Sequence, residues 1–245
     1  MPIDVERARA QHAAYEQALA DAGYLVEQID AGPDMPDSVF IEDIAIVLDE
    51  LAIVTRPGAA SRRIETPAVA EALARHRRLE TIVPPGILDG GDVLVVGRRV
   101  FVGRSTRTNS AAIAQMRQIL DPLGYAVADV VVEGCLHLKS AVTALADGLL
   151  LVNAAWIDCA ALGGLTCVEV DPDEPSAANA LRLEDRIMFP SAFPRTRARL
   201  EARGLRLQMV DAGELAKAEG AVTCCSLIIA NGSQRGPSGR ARERV

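Results

Sequence analysis

Four times along this chain, two short apolar runs stand back to back around a charged or glycine-containing turn. They read DIAIVLDELAIVTRPG (43–58), GDVLVVGRRVFVGRS (91–105), SAVTALADGLLLVNA (140–154) and ANALRLEDRIMFPSA (178–192). Short β-branched and aliphatic runs broken by Asp-Glu, Gly-Arg, Asp-Gly and Glu-Asp are β-hairpin signals. Their starts recur roughly every 40–50 residues, the spacing of a repeat architecture. Between hairpins the apolar period lengthens to that of a helix. TPAVAEALARHRRL (66–79), NSAAIAQMRQILDPLG (109–124) and PRTRARLEARG (194–204) carry it, with Thr66 and Asn109 as caps and Gly124 and Gly204 as stops. An earlier helix is expected within 4–22, and a short one around WIDCAAL (156–162). The long helices run on into further strands, YLVEQID (24–30), ETIVPP (80–85), AVADVVVE (126–133) and LRLQMVD (205–211).

The unit is therefore strand–strand–helix–strand, made four times, and a fifth begins at TCCSLIIA (223–230). Several small sheets with one helix each, set around an axis, make an α/β propeller, here five-bladed. A doubly wound sheet needs strands and helices that alternate singly, which this pattern does not offer. The fifth unit reads as one strand short. In a closed ring a strand ahead of the first helix completes it, and this sequence opens on the helix. The pattern predicts one propeller domain over residues 1–230 and a disordered Gly/Ser/Arg-rich tail over 231–245.

The 245 residues are 49% hydrophobic, enough for a sizeable core. A net charge of -7 argues against nucleic acid, which rewards basic faces. There is no long apolar span for a membrane and no basic-then-apolar leader at MPIDVERARAQ, so a cytoplasmic location is the expectation. The odd set of five cysteines, Cys135, Cys159, Cys167, Cys224 and Cys225, suggests reduced thiols. With three histidines and no C-x-x-C pair, a structural zinc site is not indicated. The thiols are either core or chemistry.

Chemistry-bearing residues stand at corresponding ends of the hairpins. Asp37, Glu42 and Asp43 precede the first, Asp89 and Asp92 the second, His137 the third, and Cys224 opens the last unit. A cyclic repeat brings such openings to one axis, where a thiol, an imidazole and several carboxylates would form a nucleophilic site. Clustered carboxylates repel unless a cation neutralises them, and a guanidinium's planar fork of donors suits paired carboxylate oxygens. A thiolate could attack its central carbon while His137, oriented by Asp89, protonates the departing amine. Arg62 and Arg107 could clamp a substrate carboxylate. Each residue alone has a plainer reading: a core cysteine, a satisfied histidine, a glycine turn at DGG, surface cations at Arg62 and Arg107, or an SRR run that feeds the next helix. Their joint occurrence at matching places in the repeat favours the site.

Together PDSVFIED, VTRPGAASRR, LDGGDVL, VGRSTRTN, LHLKS and TCCSLI resemble the dimethylarginine dimethylaminohydrolases of the guanidine-modifying, five-bladed pentein superfamily. The match runs in order from about residue 5 to 230. The resemblance implies hydrolysis of asymmetric dimethylarginine or monomethylarginine to citrulline and a methylamine, without metal or cofactor. It implies Cys224 as nucleophile, His137 as general acid and base, and Asp89 as acidic partner. Glu42 and Asp43 would grip the guanidinium, with Asp37 toward the amino-acid end, Arg62 and Arg107 on the carboxylate and Ala218 lining the head group. Cys225 would be a bystander. The family also implies a strand and flexible loop ahead of the first helix; here the ring would close through a homodimer or the chain's own tail. Two rivals are an arginine deiminase-like guanidine hydrolase and a non-catalytic methylarginine-binding relative.

Overall fold

A computed structural model describes residues 2–30, 32 and 34–229. The expectation of a disordered tail at 231–245 lies outside them.

The chain enters through α1 (Val5–Asp21), whose N-cap Asp4 accepts a hydrogen bond from the Arg7 N–H at 3.1 Å. Twelve strands follow: β1 (Ala45–Val47), β2 (Leu51–Val54), β3 (Arg78–Thr81), β4 (Val93–Val96), β5 (Arg99–Arg104), β6 (Ala126–Val131), β7 (Val142–Ala146), β8 (Leu149–Val152), β9 (Thr166–Glu169), β10 (Leu181–Arg182), β11 (Ile187–Pro190) and β12 (Leu207–Val210). Helices α2 (Thr66–Ala74), α3 (Ser110–Leu120), α4 (Leu138–Ala141), α5 (Pro194–Glu201) and α6 (Gly213–Ala216) lie among them.

The strands form four three-stranded sheets, β1-β2-β3, β4-β5-β6, β7-β8-β9 and β10-β11-β12. In each, the first pair is an antiparallel hairpin and the third strand returns parallel to the second. The four hairpins are those the paired apolar runs predict. The middle strands β2 and β11 are buried at every position, whereas the third strands β3 and β6 show half or more of their residues to water.

Core clusters sit between successive sheets. Ile53 packs with Val102 and Met116 between the first and second, Phe101 with Leu150 between the second and third, and Leu151 with Phe189 between the third and fourth. The circuit continues through two further clusters. Tyr15 and Leu19 of α1 join Met188, Val222 and Cys225, and Ile29, Leu227 and Ile229 pack against Ile44, Val69 and Leu73. The fifth unit thus takes its place by side-chain packing rather than as a sheet.

That is the main correction to the sequence reading. Neither 24–30 nor 226–229 forms a strand. Strand identity needs a neighbour to receive the backbone N–H and C=O groups, and among the described residues these two segments have no ladder partner. Both instead line a cleft of about 2310 Å³. Smaller corrections follow from local competition. The helix expected over 66–79 ends at Ala74, because 78–81 is taken by parallel pairing with β2. Thr66 is not its cap: a 3-10 turn over Ala60–Glu65 runs straight into α2, and the Thr66 hydroxyl bonds the Arg63 carbonyl at 2.9 Å. WIDCAAL yields only a 3-10 turn at Cys159–Leu162. Asn109 does cap α3, accepting from the Ala112 N–H at 3.0 Å.

Candidate active site

Each of the four hairpins opens with one tight turn: Ile41–Ile44, Gly90–Asp92 and Pro175–Ala178 are 3-10 and α4 is a single α-turn. The fifth unit begins with the turn over 222–225. These openings hold one another in a circle. The Gly91 N–H donates to Asp43 Oδ1 (3.0 Å), the Leu138 N–H to Asp92 Oδ1 (2.9 Å) and Asn179 Nδ2 to the Lys139 carbonyl (3.0 Å). The circuit closes as the Thr223 N–H donates to Asn179 Oδ1 (3.0 Å) and the Glu42 N–H to the Cys224 carbonyl (3.1 Å). Residues distant in sequence meet at this axis.

His137 is buried at the start of α4. Its Nε2 lies 3.0 Å from Asp89 Oδ2 and its Nδ1 lies 3.8 Å from Asp43 Oδ1. Burial pushes the imidazole toward its neutral form, but the Asp89 hydrogen bond and the charges of Asp43, Asp92 and Asp89 outweigh it, so its pKa is raised. Asp89 is oriented in turn by the Gly58 N–H on Oδ1 (2.8 Å). Asp92 is fully buried and accepts from Ser105 and Thr108 hydroxyls, both at 2.6 Å. Burial raises its pKa, opposed by His137 and those donors.

Cys224 is half-buried, and its thiol pKa is pushed well up, first by burial, then by the charges of Glu42 and Asp43. The Cys224 carbonyl accepts from the Glu42 N–H at 3.1 Å, and the next residue, Asp43, faces the imidazole. Cys225 points into the apolar cluster around Tyr15, with its Sγ 3.7 Å from the Ala221 carbonyl. The turn carrying Cys224 is braced from α1, where the Tyr15 hydroxyl lies 2.9 Å from the Val222 carbonyl and 2.7 Å from Ser226 Oγ.

Of the acids before the first hairpin, Glu42 and Asp43 each carry an internal cation. Lys139 Nζ is 2.5 Å from Glu42 Oε1, and Arg62 Nη1 is 2.5 Å from Asp43 Oδ2. Arg62 differs from the open clamp that its sequence position suggests. It is buried, and its guanidinium also donates to Glu65 at 3.0 and 2.8 Å and to the Asp37 and Phe40 carbonyls at 3.1 and 2.9 Å. The SRR run does feed the following helix, as the plainer reading has it. Arg107 is half-buried, 3.9 Å from Asp89 Oδ2. Asp37 is exposed at its side chain and reaches the site through its carbonyl; Ala218 is exposed on the wall of the cleft. Sequence reasoning missed Lys139, Glu65, Tyr15, Thr223 and Asn179. Of these, Asn179 had a positional signal: it opens the fourth hairpin where the other openings place their functional groups.

The DGG motif is not an angle-driven turn, since neither Gly90 nor Gly91 has a positive φ. The constraint is space. A Cβ on Gly90 would lie 2.0 Å from the Glu42 carbonyl, and one on Gly91 2.7 Å from Asp43 Oδ1 and 2.8 Å from His137 Nδ1. Among the described residues, Asp43, Asp89 and His137 bring metal-capable atoms within 4.8 Å of one another. The acids of that trio already accept from Gly91, Arg62 and Gly58.

A propeller of β-β-α-β units with a thiol, an imidazole and acids on its axis is a pentein-type architecture. The family model described as N,N dimethylarginine dimethylhydrolase, eukaryotic, matches residues 2–162. An N(G),N(G)-dimethylarginine dimethylaminohydrolase from Streptomyces coelicolor is 41% identical over 231 residues, covering 91% of this chain and 89% of that protein. Its Pseudomonas aeruginosa namesake is 34% identical, with the same coverage. The solved structure of a mutant of the Pseudomonas enzyme, complexed with citrulline, superposes with a TM-score of 0.87 at 33% identity, covering 91% of this chain and 88% of that one. This chain belongs to the dimethylarginine dimethylaminohydrolase family. No helix among the described residues is long and apolar enough to cross a membrane.

Proposed function

We propose that this protein hydrolyses N-methylated arginine to citrulline and a methylamine, with Cys224 as nucleophile. The observation that carries the reading is the turn of Glu42 and Asp43, which ties both groups to one place: the Glu42 N–H donates to the Cys224 carbonyl at 3.1 Å, and Asp43 Oδ1 stands 3.8 Å from His137 Nδ1. In the free protein the raised thiol pKa keeps Cys224 protonated. A guanidinium seated on Glu42 and Asp43 offsets the charges that raise it, so the thiol releases its proton to solvent only when substrate is present, and that proton ends on the freed methylamine. The Cys224 Sγ–carbon bond then forms, and His137, kept as imidazolium by Asp89, gives its proton to the departing methylamine nitrogen as that C–N bond breaks. Water, giving a proton back to His137, adds to the thiouronium carbon, and collapse releases the ureido product and the thiol.

Arg107 and Ala218 are the groups that face an amino-acid head group in this reading, with Asp37 nearby. Arg62 acts through Asp43, fixing the carboxylate with a buried fork of donors. The P. aeruginosa neighbour complexed with citrulline supports a ureido product. The five free thiols support a reducing, cytoplasmic setting. The test is a citrulline assay with asymmetric dimethylarginine, monomethylarginine and arginine side by side, with amine release measured in parallel. Release from the methylated substrates is expected; turnover of arginine alone would favour the deiminase-like rival, and saturable binding without release the non-catalytic one.

A further inference from the structure

Asn179 opens the fourth hairpin, is 3% exposed and spends its amide on Lys139 and Thr223. Its hydrogen bonds nevertheless fix the direction of a proton at the substrate-gripping acid. The Thr223 N–H can only donate, so the amide atom facing it at 3.0 Å is Oδ1. The Lys139 carbonyl can only accept, so the atom facing it at 3.0 Å is Nδ2. These two partners settle the amide orientation without reference to any side chain. Nδ2 also donates to Thr223 Oγ1 at 2.9 Å. The Thr223 hydroxyl has one hydrogen, and with Asn179 on its acceptor side that hydrogen goes to Glu42 Oε2, 2.7 Å away. The same amide therefore grips both the backbone and the hydroxyl of the residue immediately before Cys224.

We infer that Asn179 is a positioning residue which holds Thr223 as an obligate donor to Glu42 and so sets the carboxylate that receives a guanidinium; this rests on the hydrolase reading above. Asn179→Asp is nearly isosteric. It keeps the acceptor for the Thr223 N–H but replaces the Nδ2 donor with an oxygen that competes with Glu42 for the Thr223 hydroxyl hydrogen. Thr223→Val removes the hydroxyl at similar volume. Each is expected to raise KM for dimethylarginine about tenfold, the scale of one lost hydrogen bond to a charged group, with a smaller effect on kcat. The double variant should be no worse than Asn179→Asp alone, since both break one relay.

KM unchanged in folded Asn179→Asp, or single effects that multiply in the double variant, would overturn the inference. If Asn179→Asp does not fold, Thr223→Val decides by itself, and an unchanged KM there overturns it. A second readout does not depend on turnover. In a Cys224→Ser background, which cannot turn substrate over, dimethylarginine should bind by calorimetry with a Kd about tenfold higher when either substitution is added than when neither is. Absent citrulline release with this shift intact would sink the hydrolase reading and keep the relay; release without any shift would do the reverse.

Discussion

Asp89 holds His137 by a single contact of 3.0 Å between Oδ2 and Nε2, deep enough that the carboxylate is 1% exposed. The ring keeps its proton above the ordinary histidine range because of that contact and its acidic neighbours. A step that uses imidazolium as acid fails as pH rises through this raised pKa. Asp89→Asn should therefore move the high-pH limb of kcat to lower pH and reduce kcat by about 10²–10⁴-fold, the usual weight of general acid–base catalysis. A limb that stays in place, read from a pH–rate profile, would assign that proton to another group.

The same shift has a stability signature. A group whose folded pKa exceeds its unfolded value stabilises the fold fully below the unfolded pKa, and this contribution is lost as pH rises through the folded one. Urea midpoints should fall between about pH 6.5 and the raised value, and the fall should be smaller in His137→Gln.

Cys224→Ser should fold and lose about 10⁴-fold or more in kcat, because a serine hydroxyl at this site lacks the thiol's nucleophilicity. Cys225→Ser should retain turnover and cost about 1 kcal/mol, the hydroxyl finding the Ala221 carbonyl that the thiol already faces. Equal losses of activity in the two would refute the separation of roles.

The glycines of LDGGD test space rather than angle. Gly91→Ala should fold but drop kcat/KM by about 10²-fold, since its methyl displaces Asp43 and His137 together. Gly90→Ala meets backbone at the Glu42 carbonyl and should cost about 1–3 kcal/mol of stability, measured by denaturant unfolding.

Arg62 separates a clamp from a strut. Arg62→Met strands Asp43 and Glu65 inside the protein and should destabilise it by about 3–5 kcal/mol. A loss confined to KM, with the denaturant midpoint unmoved, would restore the open clamp.

The hairpins were legible because burial on a sheet imposes alternation on each residue whatever its distant partners. Cys224, His137 and Asp89 were legible as candidates because they occupy like positions in that repeat and carry chemistry in their side chains. Asn179, amid the apolar ANAL, has neither charge nor nucleophile to mark it, and its meaning lies in which groups its amide faces. The pairing of Arg62 with Asp43 was hidden for a related reason: two charged residues 19 positions apart reveal nothing of whether they face each other or solvent. Residues 24–30 and 226–229 have strand-like composition, yet a strand is a relation between two segments, and composition describes one.

The hydrogen-bonded circle at the axis also sets how this protein can change over generations. Groups at the hub have partners from adjoining blades, so an alteration there disturbs several blades at once. The middle strands beyond it tolerate exchanges of shape-matched aliphatic residues. The rim, where β3 and β6 show half or more of their residues to water, is free to drift. Tolerance to substitution should be graded outward in concentric zones, and relatives should diverge at their perimeters long before their centres.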